Sequence, residues 1–302
     1  MTVEIAGTDA RSARTPVQAA GDVTRRRPRP ARSRVAVVSA ILLAVTCVLM
    51  VFPFIWAALA STKPTDVAFA NPPVFRYSPT FSAYVDLWQT TDFYLYLINT
   101  VVVAVISTVV ALLVGIPCAY ALSRYGGVAS VVLLILALVF RALPRFAVVL
   151  PMYDITRSLG IYDTTYAMAA ALIVINQPFT IWLLRNFFAE IPRELDEAAM
   201  VDGCTRVGVL TRIMVPLMGP GILTAGIFVF LFAFQEYLTA AVLTDVTAKT
   251  VPVFIATQLG QNLPLLQQAS AATVLLTLPV VGIAFIAQKY LVAGLASGAV
   301  KG

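Results

Sequence analysis

The sequence predicts an all-α membrane protein with six transmembrane helices. Of the 302 residues, 60% are hydrophobic and only 12% are charged, whereas a soluble globular domain has about 25% charged residues. Apolar stretches of about 20 residues recur along the chain, and a helix needs this length to cross a bilayer. The stretches are continuous and do not alternate between polar and apolar residues, so they predict helices and not the strands of a barrel.

The first predicted element is a basic tail. Residues 1–34 are polar and contain eight of the 21 Lys and Arg residues, which predicts a disordered cytoplasmic segment. Residues 35–302 predict one transmembrane domain with spans at 35–60, 99–122, 128–150, 164–184, 222–243 and 269–288. The first span is too long for the core of a cleaved signal peptide, so we expect it to stay as a helix.

The positive residues indicate how the spans are oriented. When the tail is placed inside, 15 Lys and Arg residues fall on the cytoplasmic side and four on the outside, as the positive-inside rule requires. Both termini and the polar segment 186–220 are therefore expected in the cytoplasm. The net charge of +6 is concentrated in the tail, so it does not indicate a nucleic-acid-binding face.

Residues that the sequence lacks exclude several functions. It has no histidine, which removes the commonest general base and transition-metal ligand. Its cysteines, Cys47, Cys118 and Cys204, are too far apart in sequence to suggest a metal, redox or disulfide motif. The spans contain no paired carboxylates, which argues against an intramembrane enzyme, and no G-x-x-x-x-G-K-[ST] loop for ATP is present. We predict no catalytic residue, metal or cofactor.

The segment 186–220 contains a predicted short helix. Pro192 suits the start of a helix, acidic residues suit its positive amino-terminal end, and Gly203 suits its carboxyl end. The pair Ala198 and Ala199, together with Leu195 and Val201, predicts a small apolar surface that docks into a groove on a cytoplasmic partner. The alternative is an amphipathic helix that lies at the membrane surface without a partner.

Within this segment the sequence resembles the E-A-A-x3-G-x9-I-x-L-P signature of binding-protein-dependent ABC importer permeases. The matching residues are Glu197, Ala198, Ala199, Gly203, Ile213 and Pro216, and Val215 stands where leucine is usual. The similarity extends over most of the chain from residue 35 and includes residues 141–144, 150–153, 179–188 and 288–302, which look like carbohydrate-import permeases of the maltose type. It implies the type I importer permease fold. It also implies that the helix, including Asp202, is a coupling helix seated in a cleft of an ATP-binding subunit.

The resemblance further implies a non-catalytic subunit of a complex in the bacterial inner membrane that imports a sugar-like solute. The implied partners are a second homologous permease, expected to be a different chain, two ATP-binding subunits, and an external solute-binding protein or lipoprotein. Membrane lipid surrounds the spans, and no cofactor is implied. The alternative is a secondary transporter driven by an ion gradient, which the absence of histidine and the scarcity of carboxylates in the spans disfavour.

Polar side chains in the predicted spans are candidates for the solute pathway, because an ionisable group in the membrane is costly unless it faces water or a partner. The sequence Gln235-Glu236-Tyr237 in the fifth span offers hydrogen-bonding groups beside an aromatic ring, which suits a polyhydroxylated solute. Asn99 and Asn176 are weaker candidates of the same kind. For all of these residues, hydrogen bonds between helices are the alternative.

Two arginines fall in the third span. Arg141 and Arg145 are four residues apart and are expected on one face of the helix, and Pro144 is expected to bend it. Arg141 is a candidate for contact with the solute, and the alternative is an ion pair between Arg141 and Glu236. Arg145 is close enough to the outer end of the span to reach the membrane surface.

Overall fold

The computed structural model describes residues 34–68, 70–258 and 263–299, and the side chains of 36–68, 70–258 and 265–288. The predicted disordered tail lies outside the described residues, apart from its last residue. The chain divides into two units, residues 1–50 and 51–302. The described part of the first unit is the beginning of helix α1, Arg34–Thr62. The packing described below belongs to the second unit.

All regular secondary structure in the described ranges is helical. After α1 the chain forms α2 (Ser82–Thr90), α3 (Phe93–Arg124), α4 (Val128–Ala142), α5 (Arg145–Ser158), α6 (Thr165–Glu190), α7 (Glu194–Val201), α8 (Arg206–Val209), a π-helical turn (Leu210–Met214), α9 (Val215–Leu217), α10 (Gly219–Phe234), α11 (Leu238–Leu243), α12 (Val251–Gln258) and α13 (Leu263–Ala299). The predicted all-α fold is confirmed. The short helices α2 and α12 were not predicted.

Four single helices and two bent pairs of helices make up the candidate spans. In the described part of the chain, α1, α3, α6 and residues Leu265–Gln288 of α13 are long and apolar enough to cross a membrane. Helices α4 and α5 meet at 88°, and residues Arg206–Leu217 meet α10 at 79°. Six spans result if each bent pair is counted as one. The predicted bend at Pro144 is confirmed; proline has no N–H to continue the helical ladder.

Helices α3 and α6 form the most extensive pair in the domain. A buried stripe with a spacing of four residues runs along α3, and most of its members are small: Val103, Ser107, Ala111, Gly115, Ala119 and Ser123. Small side chains allow helices in a membrane to approach closely. A Cβ atom on Gly115 would lie 2.9 Å from Cγ2 of Thr180 on α6, so glycine is required there for close packing. Helices α4 and α10 pack against this central pair.

Each end of the central pair carries its own cluster of buried side chains. At one end, Ala119 of α3 and Phe188 of α6 pack in a cluster with Ala199 of α7 and Met214 of the π-helical turn. At the other end, Phe93 at the start of α3 packs with residues of α2, α12 and α13. The first cluster therefore fixes α7 against the ends of the two central helices.

Candidate functional site

Helix α7 begins and ends as the sequence predicted. Glu194, Asp196 and Glu197 lie in its first turn, where carboxylates stabilise the positive end of the helix dipole. Gly203 has φ of +88°, a left-handed conformation that glycine adopts without strain. Its N–H donates to Met200 O at 3.1 Å, and the next N–H donates to Ala199 O at 3.0 Å. These two bonds form the Schellman motif that closes a helix.

The inner face of α7 is joined to α3 by an ion pair. Asp196 is only 5% exposed, and its Oδ2 lies 2.8 Å from Nε of Arg124. Tyr120 OH donates to Asp196 Oδ1 at 2.6 Å. Nη1 of Arg124 donates to the carbonyl oxygens of Phe188 and Ile191, each at 3.1 Å. Charge-assisted bonds of this kind are stronger than neutral ones, so α7 is anchored to the ends of both α3 and α6.

The outer face of α7 is exposed and carries both apolar and acidic side chains. Val201 is 87% exposed, and Leu195 and Met200 are also exposed. Glu197, Ala198, Asp202 and Gly203 are exposed as well. Most of the predicted coupling residues are therefore exposed on this face, where a partner protein can contact them.

The sequence predicted that Ala198 and Ala199 both lie on the docking surface, and this prediction is wrong for Ala199. Ala199 is 4% exposed and packs into the protein, whereas Ala198 is exposed. Consecutive residues of a helix are about 100° apart around its axis, so one of the pair turns inward when the other faces out. Further along the motif, Ile213 is partly buried against the same cluster as Ala199, and Pro216 is exposed in α9.

A second polar site forms where two helix breaks meet. One break separates α4 from α5, and the other separates α10 from α11 at residues 235–237. Nη1 of Arg145 lies 3.1 Å from Oε2 of Glu236. The other carboxylate oxygen of Glu236 accepts from the N–H and hydroxyl of Thr239, at 3.1 and 2.9 Å. Glu236 therefore caps the start of α11 and holds Arg145 at the same time.

The predicted ion pair between Arg141 and Glu236 is wrong. The guanidinium of Arg141 instead lies over the rings of Phe179 and Phe232, with its Cζ at 4.9 and 5.2 Å from the ring centres. Its Nη1 is buried without a hydrogen-bond partner. Arg141 and Arg145 would share a face only on an unbroken helix, and the break at Pro144 places Arg145, and not Arg141, beside the carboxylate.

The other candidates for the solute pathway do not converge on this site. Gln235 is exposed and lines a separate, largely apolar cavity of about 780 Å³ together with Thr273 and Phe285. Tyr237 is exposed. Asn176 is 2% exposed, and its Oδ1 has no hydrogen-bond partner. The fifth span was expected to be a continuous helix, whereas a break at residues 235–237 separates α10 from α11. Gln235 and Glu236 therefore contact different parts of the protein.

Asn99 belongs to a loop anchor. Its Nδ2 donates to the carbonyl oxygens of Thr247 and Lys249, at 2.9 and 3.0 Å. The carboxylate of Asp163 accepts the backbone N–H groups of residues 245–248 at 2.8 to 3.1 Å. Burial raises the pKa of Asp163, but the four N–H groups outweigh it and lower the pKa to about 2. Both side chains thus hold the loop between α11 and α12, and Asp163 carried no signal that singled it out in the sequence.

Known proteins resemble this chain over most of its length. Residues 111–297 match the family described as "Binding-protein-dependent transport system inner membrane component". A probable ABC transporter permease protein, y4oR, of Sinorhizobium fredii is 37% identical over 256 residues, which cover 83% of this chain and 90% of that protein. The trehalose/maltose transport system permease protein MalG of Thermococcus litoralis is 34% identical over 271 residues, which cover 88% of this chain and 96% of that protein.

The fold is also shared with a solved structure. A chain of a bacterial ABC transporter involved in the import of the acidic polysaccharide alginate matches with a TM-score of 0.73 and 24% identity, over 87% of this chain and 99% of that chain. In this family ATP is hydrolysed by separate subunits. The chain therefore belongs to the binding-protein-dependent transport system inner membrane components, and it is a membrane-spanning, non-catalytic permease subunit of an ABC importer.

Proposed function

We propose that this chain forms half of a membrane pathway for a sugar or sugar-like solute, and that α7 couples the pathway to ATP hydrolysis in another subunit. The main support is the two-sided character of α7. Its inner face is tied to α3 and α6 through Asp196 and Arg124, and its outer face leaves Leu195, Ala198 and Val201 exposed. Because one face of α7 is bound to the spans and the other is exposed, the helix can transmit a movement of a bound ATP-binding subunit to the spans.

The assignment of a sugar-like solute draws on the relative from Thermococcus litoralis, which is named as a trehalose/maltose permease. The meeting of two helix breaks at Arg145 and Glu236 supports a pathway at that point. Broken helices at membrane depth are tolerated where they are buried in protein or line a water-filled cavity, and transporters use such breaks to bind their solutes.

The complex in this proposal contains a second, different permease, two ATP-binding subunits, and an external solute-binding protein or lipoprotein. Both termini lie in the cytoplasm. Residues 35–302 form the permease domain, and the coupling segment 186–220 faces the cytoplasm. The predicted excess of positive residues on that side supports the orientation.

Reconstitution of the complex in proteoliposomes tests the proposal. Uptake of radiolabelled trehalose or maltose, with ATP inside and the binding protein outside, should require the ATP-binding subunits. Uptake by this chain alone, driven by an ion gradient, would identify a secondary transporter.

The side of the membrane on which α7 lies can be measured in the same vesicles. Glu197→Cys, with Cys47, Cys118 and Cys204 replaced by serine, should react with a membrane-impermeant thiol reagent only from the cytoplasmic side. Bound ATP-binding subunit should protect it. Labelling from the external side would contradict the coupling role of α7.

A further inference from the structure

We propose that the imported solute carries a negatively charged group, such as a carboxylate, sulfonate or phosphate on a sugar, and that this group binds between Arg145 and Arg141 where the two helix breaks meet. The inference deepens the proposed function and rests on it, because it names the chemical class of the solute for the same pathway.

The charges at the breaks do not balance. Two guanidinium groups, Arg141 and Arg145, lie at the break between α4 and α5. Among the described residues, Glu236 is the only carboxylate within 4 Å of either group, and it contacts Arg145 alone. One positive charge is left over within a bent candidate span, where an ionised group requires water or a counter-charge. A solute with a negative group supplies that counter-charge each time it passes.

The guanidinium of Arg145 has free donors. Its side chain is 44% exposed, and Nη1 is the one nitrogen that binds Glu236. Its other nitrogens have no hydrogen-bond partner among the residues that the structure describes. An arginine can bind an oxyanion through two parallel hydrogen bonds. Glu236 itself is held by Thr239, so it does not move to neutralise the second arginine.

Arg141 lies beside the same space. The rings of Phe179 and Phe232 flank its guanidinium, and its buried Nη1 lacks a partner. Both arginines line a cavity of 110 Å³ together with Phe140, Leu143, Val148 and Ile175. A water molecule occupies about 30 Å³ in the liquid, so the cavity admits a group of a few heavy atoms.

The position of the site at the start of α5 also favours an anionic group. Arg145 is the first residue of this helix of 14 residues, so it lies at the positive end of the helix dipole. Helix amino termini favour anions for this reason. A neutral sugar would leave both the helix terminus and the extra guanidinium without a counter-charge.

Uptake of matched neutral and anionic disaccharides by the full complex tests the proposal. The probes are trehalose with trehalose 6-phosphate, and α-1,4-galactobiose with digalacturonate, so that each anionic sugar has its neutral counterpart. We expect ATP-dependent uptake of at least one anionic probe and weaker uptake of its neutral counterpart. Arg145→Gln should lower anionic uptake by about tenfold or more, as expected from the loss of a charged hydrogen-bond donor, and Arg145→Lys should retain much of it.

Two further variants separate an effect at the site from a loss of structure. Arg157→Gln removes a guanidinium from the far end of the same helix, where it lies over Tyr153 and Tyr162, and should leave uptake unchanged. If Arg145→Gln does not assemble with the ATP-binding subunits, Glu236→Gln decides the question. It removes a competing carboxylate, so the KM for the anionic probe should fall, and an unchanged KM would overturn the inference.

Different results would reject the anionic solute and the importer function. ATP-dependent uptake of the neutral probes in preference to the anionic ones, unaffected by Arg145→Gln, would reject the anionic solute and leave the importer function intact. If uptake of the probes continues without the ATP-binding subunits, the importer function fails and the inference fails with it.

Discussion

Substituting Asp196 by asparagine should uncouple solute uptake from ATP hydrolysis. The substitution removes the charge that faces Arg124 at 2.8 Å but keeps an oxygen that can accept from Tyr120. Removing one partner of a buried ion pair costs about 3–5 kcal/mol. Because Arg124 keeps two backbone carbonyls as acceptors, we expect a smaller loss of about 2–3 kcal/mol. This corresponds to a change of about 30- to 150-fold in the equilibrium between anchored and detached α7.

The outer face of α7 is unchanged in this variant, so the ATP-binding subunit should still bind. Uptake per ATP hydrolysed, measured in proteoliposomes, should fall at least tenfold, in line with an anchor weakened by about 2 kcal/mol. Amide hydrogen exchange of residues 194–201 in the purified complex should become faster. Glu194→Gln is the matched control, because it removes the same charge from the same first turn at an exposed position.

A double-mutant cycle completes the experiment. If Asp196 acts through Arg124, then Arg124→Gln and the double variant should show similar losses, and the two effects should not add. If Asp196→Asn behaves like Glu194→Gln in both uptake and exchange, Asp196 does not anchor α7. Release of the ATP-binding subunit by Asp196→Asn, while the exchange of α7 stays slow, would also exclude the anchoring role.

Three further predictions concern the backbone and the packing around the sites. Gly203→Ala should lower the stability of the folded protein by about 1 kcal/mol and reduce uptake, because φ is +88° and a left-handed residue with a Cβ is strained. Gly219→Ala is the control. A Cβ at Gly219 would meet no atom within 4 Å, and its φ is not positive, so uptake and melting temperature should stay unchanged. Asp163→Asn should lower the melting temperature in detergent by the equivalent of about 1–2 kcal/mol at neutral pH, whereas the exposed Asp154→Asn should not. Because the folded pKa of Asp163 is depressed from 3.8 to about 2, its contribution is complete above about pH 4 and is lost as the pH falls toward 2, so an equal difference at pH 3 and pH 7 would contradict the assignment. Gly115→Val should destabilise the pair of α3 and α6 by about 1–3 kcal/mol, because a Cβ there lies too close to Thr180. An unchanged melting temperature would show that close packing at Gly115 does not contribute to stability.

Much of the fold could be predicted because each span carries its own signal. The lengths of the apolar stretches correspond to α1, α3, α6 and α13, and Pro144 indicated the bend between α4 and α5. The start and end of α7 followed from its acidic first turn and from Gly203. The break at residues 235–237 had no such signal, because Gln235, Glu236 and Tyr237 are all compatible with a helix.

The sites show the same division at the level of single residues. Glu197, Ala198 and Gly203 were found because they form a local motif, whereas Asp196 was read only as a residue that suits a helix dipole. Its partner Arg124 is 72 positions away in the sequence. Tyr120 and Arg124 are a polar pair, four residues apart at the end of one span, that could have suggested an anchor. The neighbouring sequence does not indicate which residue they bind.

The sequence by itself determined that this chain is an all-α membrane protein with a short, capped helix between its spans, because hydrophobicity, helix capping and charge bias act over neighbouring residues. Only the tertiary structure decided that Arg145, and not Arg141, meets Glu236, that Ala199 turns inward, and that Asp196 anchors α7 to α3. Those outcomes depend on where helices break and how they rotate against one another, and these are set by the packing of side chains that are distant in sequence.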